Sequence, residues 1–541
     1  MSARPRFAVA RMQRFLPFAI TLALTVVAAV LVPLHPWAWM AAVLFGALTL
    51  LGIYDVIQPW HAITRNYPVI GHMRFLFEGI RPEIRQYLIE SEKDEEPFSR
   101  EKRSLAYQRA KGVEDKRPFG THERVYEPGY AWLTHSVMPK TARHAESRVR
   151  IGNDACAQPY DASLYNISAM SFGALSANAI EALNTGARIG GFAHDTGEGG
   201  ISRYHRKGGG DLIYEIGSGY YGCRSPDGRF DPVRFADQAA DAQVKMIEVK
   251  LSQGAKPGHG GVLPAAKITP EIAEARGIPM GQDCESPAAH SAFSTPLEFM
   301  EFLAALREGS NGKPVGFKLC IGHQREFMCM VKAMLETGIV PDFIVVDGKE
   351  GGTGAAPLEF ANHVGMPLKD GLHFVDNTLR GAGIRDQVRI GAAGKLISAF
   401  DIARALSLGA DWANSARGFM FAVGCIQAQA CHTNHCPVGV ATQDKFRARA
   451  LNVADKSQRV ANFHSNTLKA LSDMAGAAGL DDPRDFLPEH FKKREANGDM
   501  ISSELAYPRL TRGCLVRGEP DGLGYHERWK RAHAASFAPV D

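Results

Sequence analysis

The segment "VGFKLCIGHQREFMCMVKAMLETGIVPDFIVVDG", residues 315–348, holds one complete structural unit. Val315–Leu319 is a short apolar run ending at a glycine-bearing loop. "REFMCMVKAMLETG" follows, with apolar residues at helical spacing and a glycine to stop it. Phe343–Val346 is a second apolar run, rich in β-branched residues. Strand, helix and strand in this order predict two parallel neighbours joined by a crossover helix.

The same texture extends in both directions from about residue 160. Strands are predicted at Tyr165–Met170, Ile189–Ala193, Leu212–Ile216 and Met246–Leu251 on the N-terminal side. On the C-terminal side they are predicted at Val388–Ile390 and Trp412–Asn414. Most are followed by a helix-like stretch, such as "LISAFDIARALSLG" after the seventh. Eight strands alternating with helices imply an α/β fold with a parallel sheet, and the number suggests a closed (β/α)8 TIM barrel. A doubly wound open sheet fits the periodicity as well. The expected organisation is a transmembrane hairpin in 1–60, a polar linker or helical region in 61–130, the barrel in 131–480 and a C-terminal extension packed on it in 481–541.

Composition narrows the function. The 62 basic and 58 acidic residues leave a net charge of only +4, which does not call for a nucleic-acid partner. Nine cysteines without regular spacing are no disulfide framework and suit a reducing compartment. The N-terminus carries two uncharged stretches, Phe15 to Leu34 and Trp37 to Ile53. They read as two membrane-spanning helices. A signal peptide would explain the first stretch and its basic flank but not the second. Arginines before the first stretch and at 65, 74, 81 and 85 after the second put both ends, and the catalytic domain, in the cytoplasm.

The loops after the predicted strands carry the chemistry. They read "MSFGALS" (170–176), "HDTGEGGIS" (194–202), "LSQGAKPGHGG" (251–261), "DGKEGGTGAAP" (347–357), "GAAGK" (391–395) and "SARGF" (415–419). Recurrent glycine lets backbone amides approach a ligand. In barrels the seventh and eighth loops are the usual phosphate grip, which points to Gly394, Lys395, Arg417 and Gly418. Lys250, Gln253 and Lys256 offer the two cations and amide that a dicarboxylate would need, or are ordinary solvated loop polarity. Glu198, between glycines, can handle ammonium or protons, or simply accept backbone hydrogen bonds. Lys318 inside a strand needs an anion, a ligand or a carboxylate. "GSGYYG" (217–222) matches a dinucleotide fingerprint, but the prolines and glycine after it cannot open the required helix. Cys425, Cys431 and Cys436, in "CIQAQACHTNHCPVGVATQD", are one thiol short of an ordinary zinc site. By themselves they fit a zinc half-site or a chance cluster equally well.

In order along the chain, "AMSFGALS", "DTGEGG", "QGAKPGHGG", "DGKEGGTGAAP" and "CHTNHCPVGVATQ" resemble the synthase region of the FMN-binding glutamate synthase family. The resemblance implies an FMN-binding barrel with a three-iron, four-sulfur (3Fe-4S) cluster on Cys425, Cys431 and Cys436. It places Met170, Ser171, Lys318, Gly351 and Gly352 against FMN, with the phosphate near Gly394, Lys395, Arg417 and Gly418. It gives Lys250, Gln253 and Lys256 to 2-oxoglutarate and turns Glu198 toward incoming ammonia, with Glu198 and Lys318 as the catalytic pair. The implied activity is that of an oxidoreductase acting on CH–NH2 donors, the reductive amination of 2-oxoglutarate by reduced FMN.

The chain also departs from the family. It begins "MSARPRF" instead of with a cysteine amidotransferase, so ammonia is expected free or from a separate glutaminase. Electrons are expected from an external ferredoxin, reductase subunit or membrane donor. Lys349 and Glu350 stand where the family has a smaller, less charged turn, which would alter the pocket. Two other activities fit the residues: a synthase or dehydrogenase acting on an N-substituted glutamate or another amine, and a non-catalytic membrane electron-transfer subunit.

Overall fold

A computed structural model describes residues 14–91, 96–141 and 148–539. The chain forms two units, one up to Glu92 and one from Lys93 onward.

In the second unit eight parallel strands close into a barrel. They are β1 (Tyr165–Ile167), β2 (His194–Asp195), β3 (Leu212–Ile216), β4 (Val244–Lys250), β5 (Val315–Leu319), β6 (Phe343–Asp347), β7 (Arg389–Ala393) and β8 (Trp412–Ser415). Each pairs with its neighbours in sequence, and β8 returns to β1 through Ala413–Tyr165. Closure leaves no exposed sheet edge, so the strands are buried on both faces and read as continuous apolar runs.

The unit at 315–348 shows how local sequence sets this up. Residues of β5 are all buried. Helix Gln324–Thr337 buries Phe327, Met328, Met330, Val331 and Met334, and it stops at Gly338 with φ 70°. The chain then enters β6 alongside β5, pairing Gly316 with Phe343.

The second strand departs from expectation. Ile189 and Gly190 complete helix Ala177–Gly190, which Gly191 ends at φ 65°, and the strand is His194–Asp195. The apolar run at 189–193 was a helix end plus a turn. Gly217–Gly222 after β3 is a series of turns, and the next helix begins only at Pro232.

The unit boundary also falls earlier than 130. Helix Arg100–Lys111, N-capped by Ser99, packs on Val453–Ala477 and Arg417–Ala422. Ala131–Leu133 pairs with Phe491–Arg494, which pairs with Met500–Ser502, so the C-terminal residues share a small sheet with the segment before the barrel.

In the first unit, helices Leu16–Leu31 and Ala38–Ile57 pack together, with Thr25 and Thr49 hydroxyls 2.9 Å apart. Ala38–Ile57, 20 residues with a mean hydropathy of 2.0, is the one helix among the described residues long and apolar enough to cross a membrane. Of the two expected spans, one is met by length and composition, and Leu16–Leu31 is a shorter apolar helix. The first helix has 16 residues, because Pro33 and Pro36 prevent it from continuing.

Candidate active site

The loops at the C-terminal ends of the barrel strands enclose a cleft of about 1000 Å³, measured to its open mouth. A second cavity of about 590 Å³ adjoins it. The two share Ala169, Glu215, Lys250, Gln253, Gly352, Ala416 and Arg417, so the space is continuous. Of the residues singled out in the sequence, Met170, Ser171, Glu198, Lys250, Gln253, Lys256, Gly352, Arg417 and Cys431 line the first cavity. Lys318, Gly351, Gly394 and Lys395 line the second. Gly418 lines neither, and its N–H is given to Ser415 Oγ at 3.3 Å.

One wall is cationic. Lys250 Nζ lies 3.2 Å from Glu198 Oε2, and Lys256, 2% exposed, stands beside them. Burial opposes ionisation of Glu198, but Lys250, Arg276 and Lys256 together hold its carboxyl below the usual range. Gly261 leaves the Glu198 carboxylate its place: a Cβ there would meet Oε1 and push the carboxylate aside. Arg276 belongs to the same wall. Its Nη2 donates to Phe172 O at 3.3 Å and Ser171 Oγ at 3.4 Å, its Nε makes no hydrogen bond, and the guanidinium lies 5.2 Å from the Tyr221 ring centroid. The loop after β4 is held by Asp347, whose Oδ2 accepts from Gly254 N at 2.8 Å. Burial pushes the Asp347 acid up to about 6.

Lys318 is wholly engaged with protein. Its Nζ donates to Glu215 and Asp195 and lies 2.8 Å from Glu248 Oε1. Lys318 also contributes to the lining of the second cavity, so the ion cluster forms part of the cleft floor.

At the opposite end, Gly394 has φ 142° and Lys395 φ 54°, and Lys395 Nζ sits 5.4 Å from the Phe98 ring centroid. Arg417 bridges this end to the cysteine loop: Nη2 donates to Thr353 O at 2.8 Å, and Nη1 lies 3.7 Å from Cys431 Sγ. Glycines with two cations at one end suit an anionic group such as the phosphate of FMN, and the apolar stretch around Met170, Leu175, Val262 and Met420 suits a ring system.

Cys425, Cys431 and Cys436 line a third, mostly apolar cavity of about 270 Å³. Among the described residues, the set of three potential ligand side chains with ligand atoms all within 4.8 Å of one another is Asp195, Glu215 and Glu248, so the three thiols are not gathered tightly enough for one ion. A tetrahedral zinc holds its sulfurs at about 2.3 Å, hence less than about 4 Å apart. Thiols spread around a cavity instead fit a polynuclear iron–sulfur cluster. Tyr107 OH braces the loop by donating to Cys425 O at 2.6 Å. Lys267, buried beside the loop, donates to Ala174 O at 3.1 Å. Burial lowers its ammonium to about 8, and Cys431 and Cys436 oppose that fall.

Lys349 and Glu350 line neither main cavity. Glu350 Oε2 accepts from Leu368 N at 2.8 Å, at the start of helix Leu368–Gly381, and Lys349 Nζ donates to Phe360 O at 2.8 Å. Both charges serve the fold. Sequence reasoning missed Glu215, Arg276 and Lys267 in the cleft. An acid inside β3 was a usable signal for the first, whereas Lys267 ends the 3-10 turn Ala265–Lys267 and Arg276 ends the helix Pro270–Arg276, with no strand-end spacing to mark either.

A family model described as the conserved region in glutamate synthase matches residues 141–481. The glutamate synthase large subunit-like protein YerD of Bacillus subtilis is 38% identical over 83% of this chain and 93% of its own length. An archaeal-type glutamate synthase [NADPH] of Thermotoga maritima is 34% identical over 58% of this chain and 59% of its own. The archaeal glutamate synthase [NADPH] of Archaeoglobus fulgidus is 36% identical over 58% of this chain and 58% of its own. The chain thus spans nearly all of the first relative and under two thirds of the others. A solved flavocytochrome b2 with pyruvate bound aligns at 12% identity and a TM-score of 0.39 over 72% of this chain and 82% of its own, too distant to carry an argument.

Proposed function

The chain belongs to the glutamate synthase family, and from that premise we propose that it is a flavin oxidoreductase converting 2-oxoglutarate, or a close 2-oxo acid, and ammonia into the amino acid. FMN bound along Met170, Ser171, Gly351, Gly352, Gly394, Lys395 and Arg417 supplies hydride, and a 3Fe-4S cluster on Cys425, Cys431 and Cys436 supplies electrons singly. Lys250, Lys256 and Arg276 grip the substrate carboxylates through charge-assisted hydrogen bonds, and the Gln253 amide adds a neutral donor. Holding both ends of a dicarboxylate fixes its keto carbon within the cleft, which removes orientational freedom before reaction. Glu198, held ionised, can take a proton from incoming ammonium, so that ammonia is what meets that carbon.

The observation that supports this reading best is that Cys431 lines both the cleft and the three-cysteine cavity. Electrons arriving at the thiols are then next to the substrate space. A pure electron carrier has no use for the cationic wall.

The test is anaerobic. Dithionite-reduced protein should have its flavin reoxidised by 2-oxoglutarate plus ammonium. If no pair of 2-oxo acid and amine reoxidises it, the activity is refuted and an electron-transfer subunit takes its place. Faster reoxidation with methylamine than with ammonium would move the substrate to an N-alkylated glutamate. Cys431→Ser should abolish cluster absorbance and bound iron, and unchanged iron would sink the ligand assignment.

Residues 15–57 act as a membrane anchor in the same proposal, with an external one-electron donor. Exposed Trp37, Trp39, Leu44 and Leu50 support this part. Washed membranes should retain the full chain and release one lacking residues 1–60.

A further inference from the structure

Under the cleft, four ionisable side chains converge from four consecutive strands: Asp195 on β2, Glu215 on β3, Glu248 on β4 and Lys318 on β5. The three carboxyl groups each bring an oxygen within 4.8 Å of the others, and the Lys318 ammonium sits among them. All four side chains are 3% exposed or less. One ammonium cannot balance three carboxylates. Fully ionised, the group would carry a surplus of negative charge in a dry interior, where such charge costs several kcal/mol per ion, about the price of keeping a proton instead. Burial and the neighbouring acids push Asp195 and Glu248 upward, while the acids hold Lys318 as an ammonium.

Two further observations give this surplus a direction. Glu248 Oε1 lies 2.8 Å from Lys318 Nζ, and its carboxyl also meets that of Asp195, an acid–acid contact that a proton can bridge. Glu215 lines both parts of the cleft and is the acid of the cluster that does so. The other charged groups facing the cluster are Lys250 at the end of β4 and Asp347 at the end of β6. His194, next to Asp195, packs instead on His205, with ring centroids 5.2 Å apart.

We propose that Asp195, Glu215, Glu248 and Lys318 form a proton store, which gives a proton to the cleft through Glu215 during turnover and refills from solvent afterwards. The inference rests on the activity proposed above. Turning a 2-oxo acid and ammonia into an amino acid releases one water and consumes two electrons and two protons. A one-electron donor brings the electrons alone. In the step assigned to the store, a carboxyl O–H bond breaks and its electron pair stays on the carboxylate. The proton forms an N–H bond of the product amine as hydride forms the C–H bond at the former keto carbon.

Infrared difference spectra of the wild-type holoprotein, reduced and then reoxidised with 2-oxoglutarate and ammonium, test this directly. A protonated-carboxyl C=O band that shifts in D2O should fall during reoxidation and recover. Glu215→Gln should lower kcat by about 10²-fold or more, the scale of a lost proton transfer, with KM unchanged. Glu248→Gln should remove the band and shift the pH profile of kcat. Absence of the band in wild type, or a wild-type pH profile in Glu215→Gln, would overturn the store. The wild-type spectrum decides the matter even if both variants misfold. A protein that turns over without the band loses the store alone, whereas one inert to every 2-oxo acid loses the activity and the store together.

Discussion

Two buried charge clusters adjoin the cleft with opposite balances. Around Lys318, three acids share one base. Around Glu198, one acid is set among Lys250, Lys256 and Arg276. Surplus acid can be neutralised by a proton, which is small and reaches a closed barrel. Surplus base that includes a guanidinium holds its charge at any working pH, so it is neutralised only by an anion of suitable size. On the proposed reading, the first cluster sets a protonation state and the second selects a ligand.

The contrast breaks most severely at Lys318. Lys318→Met leaves three acids without a cation, and losing one partner of a buried pair costs about 3–5 kcal/mol. Urea unfolding should show that loss at pH 7, and a variant as stable as wild type would mean the ammonium does not balance the cluster.

Asp347 tests the rim of the acidic side. Its carboxyl is raised to about 6 in the fold, so between pH 4 and 6 the folded protein holds more protons than the unfolded one. Stability from this group falls as pH rises through that window. Asp347→Asn should therefore gain up to about 3 kcal/mol at pH 7, with the gain gone by pH 4. Equal gains at both pH values would refute the assignment.

On the basic side, Lys250→Met removes a charged donor worth about 1.5–3 kcal/mol. The KM for the 2-oxo acid should rise about 10- to 100-fold, and an unchanged KM would take Lys250 out of the substrate wall. The smallest effect sharpens the contrast by going outside it. Glu350→Ala removes the acceptor for Leu368 N and should cost about 1 kcal/mol, as a lost helix cap does. Its KM should equal that of wild type.

Much of the barrel could be read from sequence because closed parallel strands leave long apolar runs between glycine loops. The miss at β2 has a physical cause. His194 and Asp195 are polar yet buried in the barrel, while the apolar residues just before them finish a helix. The cleft was legible wherever a residue ended a strand or closely followed one, as Lys250 and Arg417 do. Lys318 was marked as a buried charge in need of a partner, and the same argument applied to Glu215 and Glu248 would have found its partners. Arg276 and Lys267 arrive from outside the strand–loop pattern and could not be placed by spacing.

The helix at Arg100–Lys111 bears on how this protein can be shortened. Its polarity, and that of the residues around it, invites a cut near residue 131. Such a cut removes Phe98, which flanks Lys395 and accepts from Gln427 Nε2 at 3.3 Å through its carbonyl. It also removes Tyr107, the strut under Cys425. With the cofactors bound as proposed, losing these residues would lower flavin and iron content before it disturbed the barrel itself. Trimming to about residue 93 keeps both supports, which makes that the cut at which a shortened chain should still be coloured.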